Sequence, residues 1–482
     1  MLIIYQNKLE HYCNSLFLKL KQIKKMKKLL FIAFAIALIG CKKEVKPDYA
    51  IISGKITNKH VGDLTINSED RLFKETLAVT ADGTFSDTLS TDINSYVLFD
   101  GTNPIFLNIE SGNNLNITYD ASDFDNTIAI SGVGSEINNY LVAKRKGEIE
   151  LSKKNQEIFS LEEDKYLERM IAFKNSQEEL LNNAEGLPRE FITKEKKNLH
   201  YGYLSKLNNF ENAHKYFTKN EDFKISDDFL EEAKSLDYSN IEDFVFSSNY
   251  KGLVSDYYGD KAHELSEKDS IAYDMAFLKT ASAIENETIK NTLLFDYANY
   301  NISYSKDIDA FYNVFTKNST NEKNNSIITE MYDKLMGLAV GRPSPKFVGY
   351  ENYAGGKTSL DDLKGKYVYI DVWATWCGPC KQQIPFLKEV EKKYHGKNIQ
   401  FVSISIDKAS DHEKWKAMVN EKELGGIQLF ADNDWNSAFV KEYQIQGIPR
   451  FLLIDAEGNI VDSNAPRPSS PKLIELFTKL NI

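Results

Sequence analysis

The sequence predicts a multidomain protein: a small β-rich N-terminal domain, an α-helical middle region and a C-terminal α/β domain. Three observations lead there. The chain has 482 residues, too many for one hydrophobic core. Its apolar pattern changes from short β-branched and aromatic runs, to helical spacing, to strands alternating with helices. The stretch "GRPSPKF" at 341–347 stops the helical pattern, because Pro343 and Pro345 cannot continue a helix and push the residues before them toward extended geometry.

Taken in chain order, residues 1–25 read as an upstream extension, with Met26 as the start. "MKKLLFIAFAIALIGC", Met26–Cys41, has a basic beginning and an apolar run from Leu29 to Ile39. That run is too short for a bilayer span of about twenty residues and fits the core of a signal peptide, over 26–40. Its ending "LIGC" resembles a bacterial lipoprotein box. The resemblance implies cleavage before Cys41 and lipid attachment to its sulfur. Each buried methylene of such a lipid contributes roughly 0.8 kcal/mol, and more than one chain makes anchoring stable. An uncleaved anchor with an incidental Cys41 is the competing reading. The shortness of the run and the place of Cys41 at its end favour the lipoprotein. Residues 41–48 form a polar tether, and Lys42, not being Asp, points by enterobacterial habit to the outer membrane.

Residues 49–132 carry the β-rich domain. The runs "YAIISGKI", "LFKETLAVT", "GTFSDTLS", "SYVLFD", "IFLNIES" and "NLNITYD" are separated by turn signals at Asp82-Gly83, Asp100-Gly101 and Ser111-Gly112. Short strands at this spacing suggest a small sandwich or barrel. Asp120, Asp123 and Asp125 do not follow a calcium-loop pattern and are loop acids. Over 133–339 the spacing is helical: Phe159, Tyr166, Met170 and Phe173 define one face, and Tyr201, Tyr203, Phe210 and Tyr216 another. Such aromatic stripes form cores far more often than ligand boxes.

The domain at 340–482 alternates. "KYVYIDVW" has strand length, "CKQQIPFLKEVEKKY" helical spacing, "NIQFVSISID" is a second strand and "DHEKWKAMVNEK" a helix. "RFLLIDAEGNIVD" is a hairpin and "PKLIELFTKL" a closing amphipathic helix. This order gives a mixed sheet with helices on both faces.

Charge narrows the function. The net charge is −11, and residues 1–40 hold seven Lys against one Glu; removing that +6 leaves −17 on the rest, which excludes a general nucleic-acid binder. The four cysteines are Cys13, Cys41, Cys377 and Cys380, too few for a disulfide-stapled scaffold. The last two lie in "DVWATWCGPC", between the first strand and its helix. Pro379 suits a first helical turn, which requires no N–H. The partial positive charge of a helix N-terminus favours thiolate at Cys377, and Cys380 lies one turn further in, within reach to displace a mixed disulfide. A zinc site would need two more ligands, and the chain has no second cysteine pair. A peroxidatic cysteine would want Pro and Thr or Ser where Ile370 and Ala374 stand. A structural disulfide would not usually close so short a ring beside an apolar strand.

"DVWATWCGPC" resembles the active-site segment of thioredoxins. With "GRPSPKF" and "TSLDDLKGKYVYIDVW" before it, the stretch 340–482 resembles the anchored TlpA/ResA-like thiol–disulfide oxidoreductases. The resemblance implies a thioredoxin-like fold and roles for particular residues. Asp371 matches the family's buried carboxylate, the proton acceptor for Cys380; the bland alternative is a polar residue at a strand end. Pro385 matches a structural helix kink. Ile448 and Pro449 match the cis-proline loop that faces the cysteines and pairs with substrate backbone. Trp376, with Gly378 and Pro379, forms the apolar surface on which substrate lands, and Trp373 belongs to the core. Two departures stand out: many relatives carry Asn at the place of Asp371, and Arg450 replaces the usual Thr after the proline. Arg450 either brings positive charge near the thiolate or points to solvent, and the sequence does not separate these.

The implied function is a membrane-anchored protein thiol–disulfide oxidoreductase. The Gly-Pro dipeptide leans it toward reductase. It would act on protein disulfides, with apocytochrome c thiols as a family-typical substrate. A membrane thiol reductant would supply electrons, and no metal or organic cofactor is needed. Its place would be the cell envelope, lipid-anchored through Cys41 on the periplasmic side. The alternative is an envelope binding or scaffold lipoprotein in which the thioredoxin-like domain is accessory.

Overall fold

The computed structural model describes residues 47–59, 62–68, 73–90 and 95–482. The signal peptide and lipidation at Cys41 lie outside the described residues. Among those described, no helix is long and apolar enough to cross a membrane. The chain divides into two compact units. One runs to Lys196 and includes Ala213–Glu221; the other holds Lys197–Asn212 and Asp222–Ile482.

In the first unit the β-rich segment forms two four-stranded sheets. One has the order β4 (Thr84–Ser90), β1 (Tyr49–Thr57), β7 (Asn114–Asp120), β8 (Ala129–Val133). The other has the order β3 (Lys74–Leu77), β2 (Leu64–Ser68), β5 (Ser95–Phe99), β6 (Pro104–Asn108). Alternate residues point inward: Leu64 and Ile66 from β2, Leu115, Ile117 and Tyr119 from β7, and Ile52 and Ile56 from β1 fill one core. Gly54 is needed inside β1 because it lies opposite Ile117 in the parallel β1–β7 pair, where a Cβ would collide with the Ile117 carbonyl. The turn at Asp100-Gly101 forms as read: the Asp100 carboxylate accepts the N–H groups of Thr102 and Asn103 and the Tyr119 hydroxyl.

The aromatic stripes differ in detail from the sequence reading. Tyr166 and Met170 are buried on the helix Glu163–Asn183, where Gln177 and Leu181 continue the buried face in place of Phe173. Phe159 belongs to a separate short helix, Asn155–Phe159, and stacks on Tyr166 from outside it. Tyr201, Tyr203 and Phe210 are buried, whereas Tyr216 is exposed with Lys219 over its ring.

In the second unit five of the helices are started by short polar side chains. Asn240, Ser247, Asn286, Asp307 and Asn321 each accept an N–H of the first turn. The α/β region is a seven-stranded sheet in the order β10 (Lys357–Thr358), β9 (Tyr350–Asn352), β13 (Ile427–Phe430), β12 (Ile399–Ser405), β11 (Tyr367–Trp373), β14 (Arg450–Ile454), β15 (Ile460–Asp462). β11 lies parallel to β12 and antiparallel to β14, at the centre. Helices cover both faces of these strands, so they read as continuous apolar runs. On one face Tyr369, Phe401 and Phe451 pack against Leu387, Val390 and Phe477 from the helices Gly378–Lys393 and Pro471–Lys479. The break at 341–347 ends the helical pattern with a turn at Gly341 and is held to the hairpin: Gly341 N–H donates to Ile460 O, and Ser344 N–H to Gly458 O.

Candidate active site

β11 delivers the chain to the cysteines at its C-terminal end, where open α/β sheets place their chemistry. The loop after Trp373 is held by Asp407, a residue the sequence pattern does not single out. Its buried carboxylate accepts the Thr375 N–H at 2.9 Å, the Thr375 hydroxyl at 2.7 Å and the Ser405 hydroxyl at 2.7 Å. Asp407 follows a strand and carries no local motif, so only the fold reveals it.

Cys377 then caps the helix Gly378–Lys393. Its backbone is extended, and its Sγ accepts the Cys380 N–H at 3.1 Å, with Pro379 in the first turn. Cys377 and Cys380 are joined in a disulfide. The asymmetry between them lies in position at the cap, not in exposure: Cys377 is 4% exposed and Cys380 3%. Access comes from the rim. Trp376 is 53% exposed, and Gly378 and Pro379 are exposed beside it. Trp435, which no sequence motif marks, approaches Trp376 with ring centroids 6.4 Å apart. Trp373 is core, as expected.

Across the disulfide, the Ile448–Pro449 bond is cis, and the Ile448 carbonyl oxygen lies 3.8 Å from Cys377 Sγ. In the oxidised pair that sulfur has no proton, so the contact is van der Waals. Ile448 is half-buried and Pro449 buried.

Asp371 is buried on β11, between Ser403 and Phe451 of the neighbouring strands. Its Oδ1 has no hydrogen-bond partner. It faces a cavity of about 10 Å³ lined also by Ile384, Leu387 and Glu391 of the active-site helix. Those residues follow Cys380 at four, seven and eleven positions, so they share its helix face. Burial, and then the charge of Glu391, push the Asp371 carboxyl up to about 8. Burial raises Glu391 to about 7, against a small opposing pull from Lys388. Sequence reasoning misses Glu391 because its acid sits mid-helix among lysines and looks like a solvated residue. Gly425 and Gly426 make room for it, since a Cβ at either would press on the Glu391 carboxylate.

Arg450 does not point to solvent, one of the two sequence alternatives, being 1% exposed. Nε donates to Ser463 O and Nη2 to Ser303 O, each at 3.0 Å, and the group lies 4.5 Å over the Tyr304 ring.

The family described as Redoxin matches residues 339–475. The thioredoxin-like protein YneN of Bacillus subtilis is 31% identical over 130 residues, covering 27% of this chain and 73% of that protein. The chain belongs to the TlpA/ResA-like thioredoxin family. The thiol-disulfide oxidoreductase ResA of Bacillus cereus is 26% identical over 149 residues, 31% of this chain and 83% of the relative. The thioredoxin domain of a thiol-disulfide oxidoreductase from Bacteroides vulgatus is 29% identical and covers 30% of this chain and 98% of that one, with a TM-score of 0.27. This TlpA/ResA-like protein is accordingly a thiol–disulfide oxidoreductase, with its chemistry in the C-terminal part of the chain.

Proposed function

We propose that the chain is a lipid-anchored reductase of protein disulfides in the cell envelope, working through Cys377 and Cys380. The observation that carries the reading is Cys377 Sγ at a helix cap, accepting the Cys380 N–H. A sulfur so placed is stabilised as thiolate, which makes it both attacker and leaving group at neutral pH. The Cys377 thiolate attacks one sulfur of a substrate disulfide, and the other substrate sulfur leaves as thiolate. Cys380, having given up its proton, attacks Cys377 Sγ and releases the second substrate thiolate. The chain ends oxidised and the substrate carries both electrons, so each cycle needs two electrons from an external dithiol. A membrane thiol carrier fits that need.

Asp371 is the proposed acceptor of the Cys380 proton. A carboxyl pushed up to about 8 is a stronger base than an ordinary aspartate, but it holds its own proton below that value, so the acceptor role falls to the ionised fraction and grows as the pH rises toward 8. Trp376, Gly378 and Pro379 form the surface that substrate meets, and Ile448 and Pro449 the opposite wall. The anchor rests on the signal-peptide pattern at 26–40 and Cys41. The Gly-Pro dipeptide supports the reducing direction. A Cys380→Ser variant expressed in cells tests the proposal: it should accumulate mixed disulfides at Cys377 that identify the clients by mass. Recovery of nothing beyond what a double Cys→Ser variant retains would overturn it.

A further inference from the structure

We infer that the helical region is part of the active-site framework: the turn Ile302–Tyr304, through Tyr304 and the buried Arg450, positions the Gly447–Pro449 loop against the cysteines. The inference rests on the proposed role of that loop as the wall that receives substrate backbone.

The Tyr304 hydroxyl donates to the Gly447 carbonyl at 2.9 Å, across 143 residues of chain. Gly447 directly precedes Ile448, whose carbonyl touches Cys377 Sγ. A Cβ on Gly447 would come within 3.2 Å of the Tyr304 hydroxyl, so the glycine permits the close approach. On the other side of the cis bond, Arg450 is pinned between the two segments. It donates to Ser303 O in the helical region and to Ser463 O beyond the hairpin, with the Tyr304 ring beneath its guanidinium. Asn464 Nδ2 closes the arrangement by donating to Tyr304 O at 3.3 Å. Both ends of the loop are therefore tied to one turn of the helical region.

The chemistry makes the tie hard to replace. A buried guanidinium must satisfy fixed, planar donors, and a carbonyl at the right angle does this where water cannot enter. Ser303 O and Ser463 O supply such acceptors, and the ring supplies a favourable face for the cation. Threonine at 450 would reach neither carbonyl. The departure at Arg450 thus has a consequence: the loop that receives substrate is indexed to the helical region as well as to the sheet. Tyr304 and Arg450 are positioning residues, since neither is placed on the reacting sulfurs.

The test compares the mature chain with its Tyr304→Phe and Arg450→Lys variants. Tyr304→Phe keeps the ring under the guanidinium and removes only the hydroxyl. Three quantities are read: KM and kcat for insulin reduction with dithiothreitol, the rate at which dithiothreitol alone reduces the Cys377–Cys380 disulfide, and the melting temperature. For Tyr304→Phe we expect KM for insulin to rise about three- to tenfold, the range of one neutral hydrogen bond, with kcat and the dithiothreitol rate within about twofold of wild type. Arg450→Lys should raise KM further. Unchanged KM in Tyr304→Phe overturns the inference. So does a loss of activity that merely follows the folded fraction at unaltered KM. If wild type itself reduces no insulin, the proposed function fails separately. The inference is then decided by amide hydrogen exchange at Ile448 and Arg450: faster exchange in Tyr304→Phe supports it, and equal exchange sinks it.

Discussion

Replacing Asp371 with Asn should flatten the dependence of stability on pH in the thioredoxin-like region. Asp371 is buried on the central strand, and its carboxyl is pushed from an ordinary 3.8 up to about 8, by burial first and Glu391 second. Between those values the folded state holds a proton that the unfolded state has released. Its contribution to stability is complete below about 3.8 and is lost as the pH rises through about 8. A tenfold difference in proton affinity between folded and unfolded states is worth ~1.36 kcal/mol, so the whole effect is bounded at roughly 6 kcal/mol, of which about 4 kcal/mol falls between pH 5 and pH 9. Asn cannot ionise, and since Asp371 Oδ1 has no hydrogen-bond partner, little pairing is given up at that atom.

The assay is denaturant unfolding of the oxidised protein, in which neither cysteine titrates, followed by tryptophan fluorescence. All four tryptophans, Trp373, Trp376, Trp415 and Trp435, lie in the C-terminal region, so the signal comes from that region. Other carboxyls titrate in both proteins, so the difference between variant and wild type reports Asp371 together with its coupling to Glu391. The variant should gain on wild type by several kcal/mol as the pH rises from 5 to 9. Parallel profiles, or a variant that falls behind at high pH, would refute the assignment of a raised carboxyl.

Two further outcomes can be measured. Glu391→Gln removes the charge that helps hold the Asp371 carboxyl up; the apparent pKa of Asp371 in the pH–rate profile of disulfide exchange should move toward acid by about half a unit to one unit, and a fixed or basic-moving profile would exclude Glu391 as its electrostatic partner. Gly54→Ala places a Cβ against the Ile117 carbonyl and within 2.9 Å of the Phe85 ring; calorimetry should show the β-rich segment weakened by about 1–3 kcal/mol or more, and an unchanged transition would mean that β1 and β7 are not paired in this register.

Much of the architecture is legible because burial writes itself into period. The β11 run "YVYIDVW" is apolar but for Asp371, since both of its faces are covered. The strands that escape notice are short, or polar on one face. β2 is "LTINS", whose inward face ends on the polar Ser68 after Leu64 and Ile66, and β9 and β10, at one end of the sheet, have three and two residues. The helical period places Phe159 on the wrong helix because an i, i+7 step survives a chain break when the aromatic stacks back from a neighbouring element. Period records which residues are covered, not which element carries them.

The site divides along the same line. The placement of Cys377, Pro379, Cys380 and the Ile448–Pro449 loop is legible because it depends on local spacing: a cap, a helical turn, a proline. Asp407, Glu391 and the fate of Arg450 are not, because each is defined by a partner brought in by the fold. Asp407 is a clamp only once β12 lies beside β11. Glu391 acts on Asp371 only across the face where its helix meets the sheet. Arg450 is the sharpest case, since a charge next to the cis-proline loop invites the reading of an electrostatic role at the cysteines. The contacts show a different role: Nε donates to Ser463 O and Nη2 to Ser303 O, the group lies over the Tyr304 ring, and Nη1 is buried with no hydrogen-bond partner. The contacts its guanidinium makes through Nε and Nη2 are to backbone on either side of the cis bond, so the inferred consequence is geometric: it bears on where the loop stands.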